Sequence, residues 1–375
     1  MNRVKLPEVC ELIMGQSPDS TSYNKSKEGL PFYQGNANFG PKYPTPTVWC
    51  SLPKKIARNN DILISVRAPI GDLNFANEEC CIGRGLAALR IKDNSKYSKE
   101  YLFAFLKSIA RELQRKGTGS TFTAIGKTVL EDLEINVPSL PEQQKIAAHL
   151  DSIQSAIDNK KQQLQQLDEL VKSKFVEMFG DVVQNSKNWD LIEFEQLGEL
   201  ARGVSKHRPR GAPELLGGKY PLIQTGDVAN CDTYITEYTS TYSELGLAQS
   251  KMWKARCLCI TIAANIAKTG ILTFDACFPD SVVGFIPNEK VNELYMHLWF
   301  SFFQSILEYQ APQTAQKNLN MATLGKLKIC VPPIELQNTF AAYVQKIDSA
   351  KSIIKTQLND LNELLESKMD FYFGE

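Results

Sequence analysis

Val137-Pro138-Ser139-Leu140-Pro141-Glu142-Gln143-Gln144-Lys145-Ile146 returns 194 residues later as Val331-Pro332-Pro333-Ile334-Glu335-Leu336-Gln337-Asn338-Thr339-Phe340. The correspondence runs without a gap to residue 375, with 18 of 45 positions identical. Among the identities are Gln143/Gln337, Ala147-Ala148/Ala341-Ala342, Leu164/Leu358, Leu167/Leu361 and Phe179-Gly180/Phe373-Gly374. A gapless match of that length is a duplication. Upstream the likeness is fainter but keeps its order. Leu30-Pro31-Phe32-Tyr33-Gln34-Gly35 answers Lys219-Tyr220-Pro221-Leu222-Ile223-Gln224-Thr225-Gly226, and the strand-like Asp61–Val66 answers Cys257–Ile262. Two long copies differ from a solenoid, which stacks three or more short units.

The duplicated segments read as long helices. Pro141 in a first turn followed by Glu142 suits a helix start. Apolar residues then recur in steps of three and four, with one skipped register, at Ile146, Leu150, Ile153, Ile157, Leu164, Leu167 and Val171. The second copy offers Phe340, Val344, Ile347, Ile354, Leu358, Leu361 and Leu365. A stripe repeating every seven residues is a coiled-coil seam, narrower than the apolar face of a core helix. Lys160 interrupts the first seam where the second has Ile354, and Lys351 interrupts the second where the first has Ile157. Such complementary breaks favour pairing of the two helices with each other. Gly180 and Gly374 stand where a left-handed cap residue belongs.

The expected organisation is therefore α+β, with a globular domain over 1–136, a helix over 137–181, a second domain over 182–330 and a closing helix over 331–375. The two domains are expected to be mixed α/β, separated by two long antiparallel helices in a pseudo-two-fold repeat. At 375 residues the chain is long enough for two ordinary cores.

Composition excludes several classes. Forty-two basic and 42 acidic residues leave no net charge, so the chain does not hold nucleic acid by charge alone. No apolar run reaches the 18 or so residues of a membrane span, and the first residues lack the apolar core of a signal peptide. Nine scattered cysteines form no disulfide framework or C-x-x-C pair, and three histidines assemble no ligand set. Gly126-Lys127-Thr128 has Thr121 where a phosphate-binding loop needs glycine. Pro279-Asp280 followed by Glu289-Lys290 is only a loose echo of a nuclease metal site and reads better as a surface turn. No catalytic constellation and no metal site are expected.

Loops rich in amides, hydroxyls and arginine are suited to base edges and phosphates, because Gln and Asn pair with adenine and Arg with guanine. In the first domain the candidates are Tyr33, Gln34, Asn36, Arg67, Arg84, Lys116, Ser120 and Thr121. In the second they are Lys206, Arg208, Arg210, Gln224, Thr225, Gln316, Lys317 and Asn318. The spacer candidates are Leu150, Ile153, Ile157, Leu164 and Leu167 on one helix, with Val344, Ile347, Ile354, Leu358 and Leu361 on the other.

Gly119-Ser120-Thr121, then Leu130-x-x-Leu133-x-Ile135-x-Val137-Pro138-x-Leu140-Pro141-Glu142-Gln143-Gln144-Lys145-Ile146, the long helix to Phe179-Gly180, and the same layout repeated at the C-terminus resemble the specificity (S) subunit of type I restriction–modification systems. The resemblance covers essentially the whole chain and is strongest over 119–181 and 317–375. One departure is that Pro141-Glu142 becomes Glu335-Leu336. What the resemblance implies is a cytoplasmic, non-catalytic reader of double-stranded DNA. Each domain would read one half of a bipartite asymmetric site. The helices would dock two methyltransferase (modification) subunits, with restriction/translocase subunits joining them. No cofactor is expected in this chain; S-adenosylmethionine, ATP and Mg are expected in the partners. Two other readings stay open: a duplicated coiled-coil scaffold that never touches DNA, and a fragment of an enzyme that joins methylation to recognition.

Overall fold

A computed structural model describes residues 2–118, 123–263, 266–310 and 320–374. The chain divides into two compact units, residues 1–162 with 355–375, and residues 163–354. The long helices are Leu140–Phe179 and Ile334–Phe373, 40 residues each, or about 60 Å at 1.5 Å per residue. They begin at the same register of the repeat, so Glu335-Leu336 in place of Pro141-Glu142 does not move the start. Among the described residues no helix is long and apolar enough to cross a membrane.

Leu150, Ile153 and Ile157 are buried on the first helix and Val344 on the second. Leu164, Leu167, Ile347, Ile354, Leu358 and Leu361 are half-buried. In the second unit Phe340 meets the rings of Phe175 and Phe179 at 5.6 and 5.3 Å, and Lys351 bonds Asp168. Higher numbers on one helix thus face lower numbers on the other, and the two run antiparallel there. Lys351, the seam-breaking cation, is largely buried along its stem and puts its ammonium on that carboxylate. The cap expectation holds once. Gly180 has φ of 77° and donates to the Val176 carbonyl at 2.8 Å. Gly374 makes the equivalent bond to Asp370 without a left-handed φ, which corrects the expectation for that residue.

Both units use one sheet plan. In the first, the order is Cys10–Met14, Leu86–Ile91, Ile62–Ser65, Leu73–Phe75, antiparallel throughout. In the second it is Gly198–Arg202, Val282–Pro287, Leu258–Thr261, Thr269–Leu272, with Tyr234–Ile235 added in parallel at the edge. The central registers match pair for pair: Leu86↔Ser65 and Leu89↔Ile62 answer Val282↔Thr261 and Phe285↔Leu258. These strands read as continuous apolar runs because both faces are covered. Ile62 and Ile64 point into the helix-backed core and Leu63 into the opposite one. Leu258 and Ile260 do the same against Cys257 and Cys259, so that cysteine spacing is strand alternation. A two-stranded clasp closes each domain, Asn2↔Val137 to Lys5↔Glu134 in one and Asp190↔Val331 to Glu193↔Lys328 in the other.

Each domain is tied to its helix by one glutamine. Gln143 accepts from the Ser98 amide at 2.9 Å and donates to the Lys96 and Pro138 carbonyls, both at 2.9 Å. Gln337 accepts from the Asn292 amide at 2.9 Å and donates to the Lys290 and Pro332 carbonyls at 3.0 and 2.8 Å. All three partners follow the 194-residue shift. Tyr101 and Tyr295 add a second tie, donating to the Asn136 and Cys330 carbonyls at 2.8 and 2.6 Å. Both glutamines are buried, and a buried polar group left without its partner costs about 1–3 kcal/mol. Gln143→Ala or Gln337→Ala is therefore expected to lower stability by about 2–4 kcal/mol, since each strands three backbone groups. Urea denaturation checks this; a loss below half a kilocalorie would show that water replaces the amide.

Candidate nucleic-acid interface

In the first unit the polar loops gather at one end of the four-stranded sheet. The turn Gly83-Arg84-Gly85 is the centre. Its amides bond the Tyr33 and Gln34 carbonyls at 2.8 and 3.0 Å, and the Gly85 carbonyl accepts from Val66 at 2.9 Å. A Cβ on Gly83 would lie 2.6 Å from Gln34 Oε1, and one on Gly85 2.5 Å from the Gln34 carbonyl oxygen, so only glycine fits on either side of Arg84. Gln34 is exposed and exchanges hydrogen bonds with Ser17 Oγ at 2.9–3.0 Å, while Ser17 also accepts from the Arg84 amide at 3.3 Å. Arg67 and Arg84 are exposed, with no side-chain hydrogen bond or ion pair among the described residues. Asn36 donates to Asp72 at 2.5 Å. Lys116, exposed, pairs with Glu112 at 2.6 Å. Its neighbour Gln114 bonds the Ile70 carbonyl at 3.1 Å, bringing that stretch to the same rim. Ser120 and Thr121 lie outside the described residues.

Tyr33 does not belong to the rim. It is 1 % exposed, packed with Leu63, Ile82 and Leu86. On the strand Leu30–Tyr33, Tyr33 packs into that cluster while Phe32 packs on the opposite face with Cys50 and Cys81, so both faces are covered here and the surface loop starts only at Gln34. This corrects the sequence expectation. Ser17, which joins Gln34 to the Arg84 turn, carries no signal in the sequence, since nothing local distinguishes it from any Ser-Pro turn.

In the second unit the expected residues meet other partners. Arg210 bonds Asp280 at 2.5 Å and Arg208 lies 3.6 Å from it. Arg208 also donates to the Ser205 and His207 carbonyls at 2.7 and 2.8 Å. Lys206 is exposed, its amide on the Gln249 carbonyl at 3.4 Å. Gln224, exposed, donates to Ser240 at 3.0 Å, and its amide takes Asp227 at 2.8 Å in a capping arrangement over half-buried Thr225. Gln316, Lys317 and Asn318 lie outside the described residues. Pro279-Asp280 is a surface turn, as its sequence suggests, but its carboxylate organises two of the candidate arginines.

Chemically, these rims can donate forked N–H groups to guanine and pair amides with adenine. Among the described residues no three His, Cys, Asp or Glu side chains converge as a metal site. The nine cysteines are free. Burial pushes the Cys80 thiol up to about 12 and Cys81 to about 11, so neither is a nucleophile near neutrality. Buried His297, lowered by desolvation to about 4, sits neutral against Thr269 at 2.9 Å.

Two equivalent α/β units, each clasped at its base and presenting a rim of amide and guanidinium groups, define a duplicated recognition protein. A family model for the type I restriction modification DNA specificity domain matches residues 1–169 and 186–363, and the chain belongs to that family. That family is the DNA specificity domain of type I restriction modification systems. The chain is 43% identical over 162 residues to the MjaX type I restriction enzyme specificity subunit of Methanocaldococcus jannaschii, a match covering 43% of this chain and 38% of that protein. It is 31% identical over 323 residues to the MjaIX specificity subunit of the same organism, covering 80% and 72%. The crystal structure of a type I S subunit from M. genitalium has the same fold, with a TM-score of 0.62 at 14% identity over 100% of this chain and 96% of that one.

Proposed function

We propose that the chain is a specificity subunit whose two domains, spanning 1–136 and 182–330, each read one half of a bipartite, asymmetric site in double-stranded DNA. The helices of 137–181 and 331–375 set the distance between the half-sites and dock two methyltransferase subunits, which restriction/translocase subunits join. S-adenosylmethionine, ATP and Mg belong to those partners, and the complex works in the cytoplasm on the cell's DNA. The observation that carries this reading is repetition of scaffold without repetition of rim. The sheet registers and glutamine ties recur residue for residue, whereas the exposed loops carry different side chains. Two like frames with unlike edges suit two different half-sites. Nine free cysteines, eight of them buried, agree with a reducing compartment.

Zero net charge adds a condition. Phosphate neutralisation dominates affinity for DNA, so the isolated chain should bind weakly at physiological salt and gain affinity once methyltransferase is bound. The test is selection of duplexes from a random library by the assembled complex with its methyltransferase at moderate salt. Two short motifs at one fixed gap are expected. No enrichment by a complex shown to be assembled, or nanomolar and salt-insensitive binding by the chain alone, would overturn the reading.

A further inference from the structure

The same turn occupies the same place in both domains, and its central residue changes sign. In the first unit the turn Gly83-Arg84-Gly85 is held by five backbone bonds: Gly15 to Leu86 at 2.9 Å, Val66 to Gly85 at 2.9 Å, Leu86 to Gly83 at 3.0 Å, Gly83 to Tyr33 at 2.8 Å and Gly85 to Gln34 at 3.0 Å. The first three recur in the second unit as Gly203 to Val282 at 2.9 Å, Ile262 to Ser281 at 3.1 Å and Val282 to Pro279 at 3.0 Å. By this pattern Gly83-Arg84-Gly85 is equivalent to Pro279-Asp280-Ser281, and the loop after Gly15 to the loop after Gly203. In the first unit the cation stands on the turn, and the facing loop, Gln16-Ser17-Pro18-Asp19-Ser20, has none. In the second the turn carries an acid and the facing loop supplies Lys206, Arg208 and Arg210. Asp280 holds Arg210 at 2.5 Å with Arg208 3.6 Å away.

Such a turn is well built to read a base. Its backbone is fixed from both sides and its glycines are jammed against Gln34, so little ordering remains except along the arginine side chain. A guanidinium fork on a rigid base matches the O6/N7 acceptor pair of guanine. Where the turn carries a carboxylate, that carboxylate orients forks arriving from the loop.

We propose that this turn carries a specificity-determining residue of each reader: Arg84 donates directly to a guanine of the first half-site, and Asp280 is the positioning residue for Arg210, with Arg208, over a base of the second. The inference rests on the two-reader function proposed above.

The experiment is the same random-library selection, performed with the full chain in complex with its methyltransferase, on wild type and on Arg84→Ala, Arg84→Lys and Asp280→Asn. Both Arg84 variants are expected to flatten preference at one base pair of one half-site. The loss is on the order of 5- to 150-fold, the discrimination of a bidentate arginine–guanine pair. Arg84→Lys should keep most of the affinity, because it retains the charge and loses only the fork. Asp280→Asn should relax one position of the other half-site and leave the first intact. Arg84 and its variants face solvent, so assembly is expected to be unaffected; should Arg84→Ala fail to assemble, Arg84→Lys decides. If wild type enriches a bipartite motif but the Arg84 variants keep every base preference, or weaken all duplexes equally as loss of a phosphate contact would, this inference is wrong and the two-reader function stands. If wild type enriches nothing, both fall together.

Discussion

Replacing residues 6–133 with the corresponding part of another recognition domain exchanges one half of the DNA target and leaves the other half and the gap between them unchanged. The expectation follows from how the domain is closed. Its entering strand Asn2–Lys5 and leaving strand Glu134–Val137 pair side by side, so the chain enters and leaves at one place, as in modules that tolerate exchange. The second domain has the same clasp, Asp190–Glu193 on Lys328–Val331. The graft must keep what meets the helix: a tyrosine at the position of Tyr101 and backbone groups for Gln143. Each mismatched base pair costs about 1–3 kcal/mol, roughly additively, so the original half-site as a whole should lose several kcal/mol. Selected sequences before and after the graft provide the measurement. Change in both half-sites would show that the domains do not read independently.

The second large effect is on stability. Phe175→Ala is expected to cost about 3–5 kcal/mol, the usual range for deleting a buried ring. Phe175 belongs to the first long helix but is fully buried in the core of the second unit. Its ring lies 4.9 Å from Phe179, 4.9 Å from Phe302, 5.6 Å from Tyr295 and 5.6 Å from Phe340. Those rings come from three separate helices, so the cavity cannot close by moving one of them. The equivalent residue of the other repeat, Met369, is half-buried against the first unit's core, and Met369→Ala should cost less. Denaturant unfolding followed by a probe in the second unit distinguishes the two. A loss below 1 kcal/mol for Phe175→Ala would mean that this cluster does not hold the helix to its domain.

Much of this is legible in the sequence. Identities at Gln143/Gln337 and Phe179/Phe373 mark the duplication: the glutamines make the same three hydrogen bonds, and the phenylalanines meet the equivalent tyrosines, Tyr295 and Tyr101, at 4.9 and 5.3 Å. The seam is legible because apolar side chains must recur every three or four residues to stay on one side of a helix. The rim was legible only in part. Gln34 and Arg84 are exposed, but Tyr33 is core, since the face of the strand it points to is covered by Leu63, Ile82 and Leu86. The equivalence of Arg84 and Asp280 is hidden, because the domains share few identities and the shift at this turn is 196 residues, not the 194 of the helices. Backbone hydrogen bonds reveal it; side-chain identity does not.

What the sequence alone determines is therefore periodic and duplicated: two domains, two long helices and the pairing preference implied by Lys160 and Lys351. Periodicity survives in one dimension because burial along a helix repeats with a fixed step. The tertiary structure alone decides which polar side chains meet. Asp280 finds Arg210 across 70 residues, and Gln34 finds Ser17 across 17. Those meetings depend on strand order and register, which bring distant loops to one end of a sheet, and no local pattern encodes them.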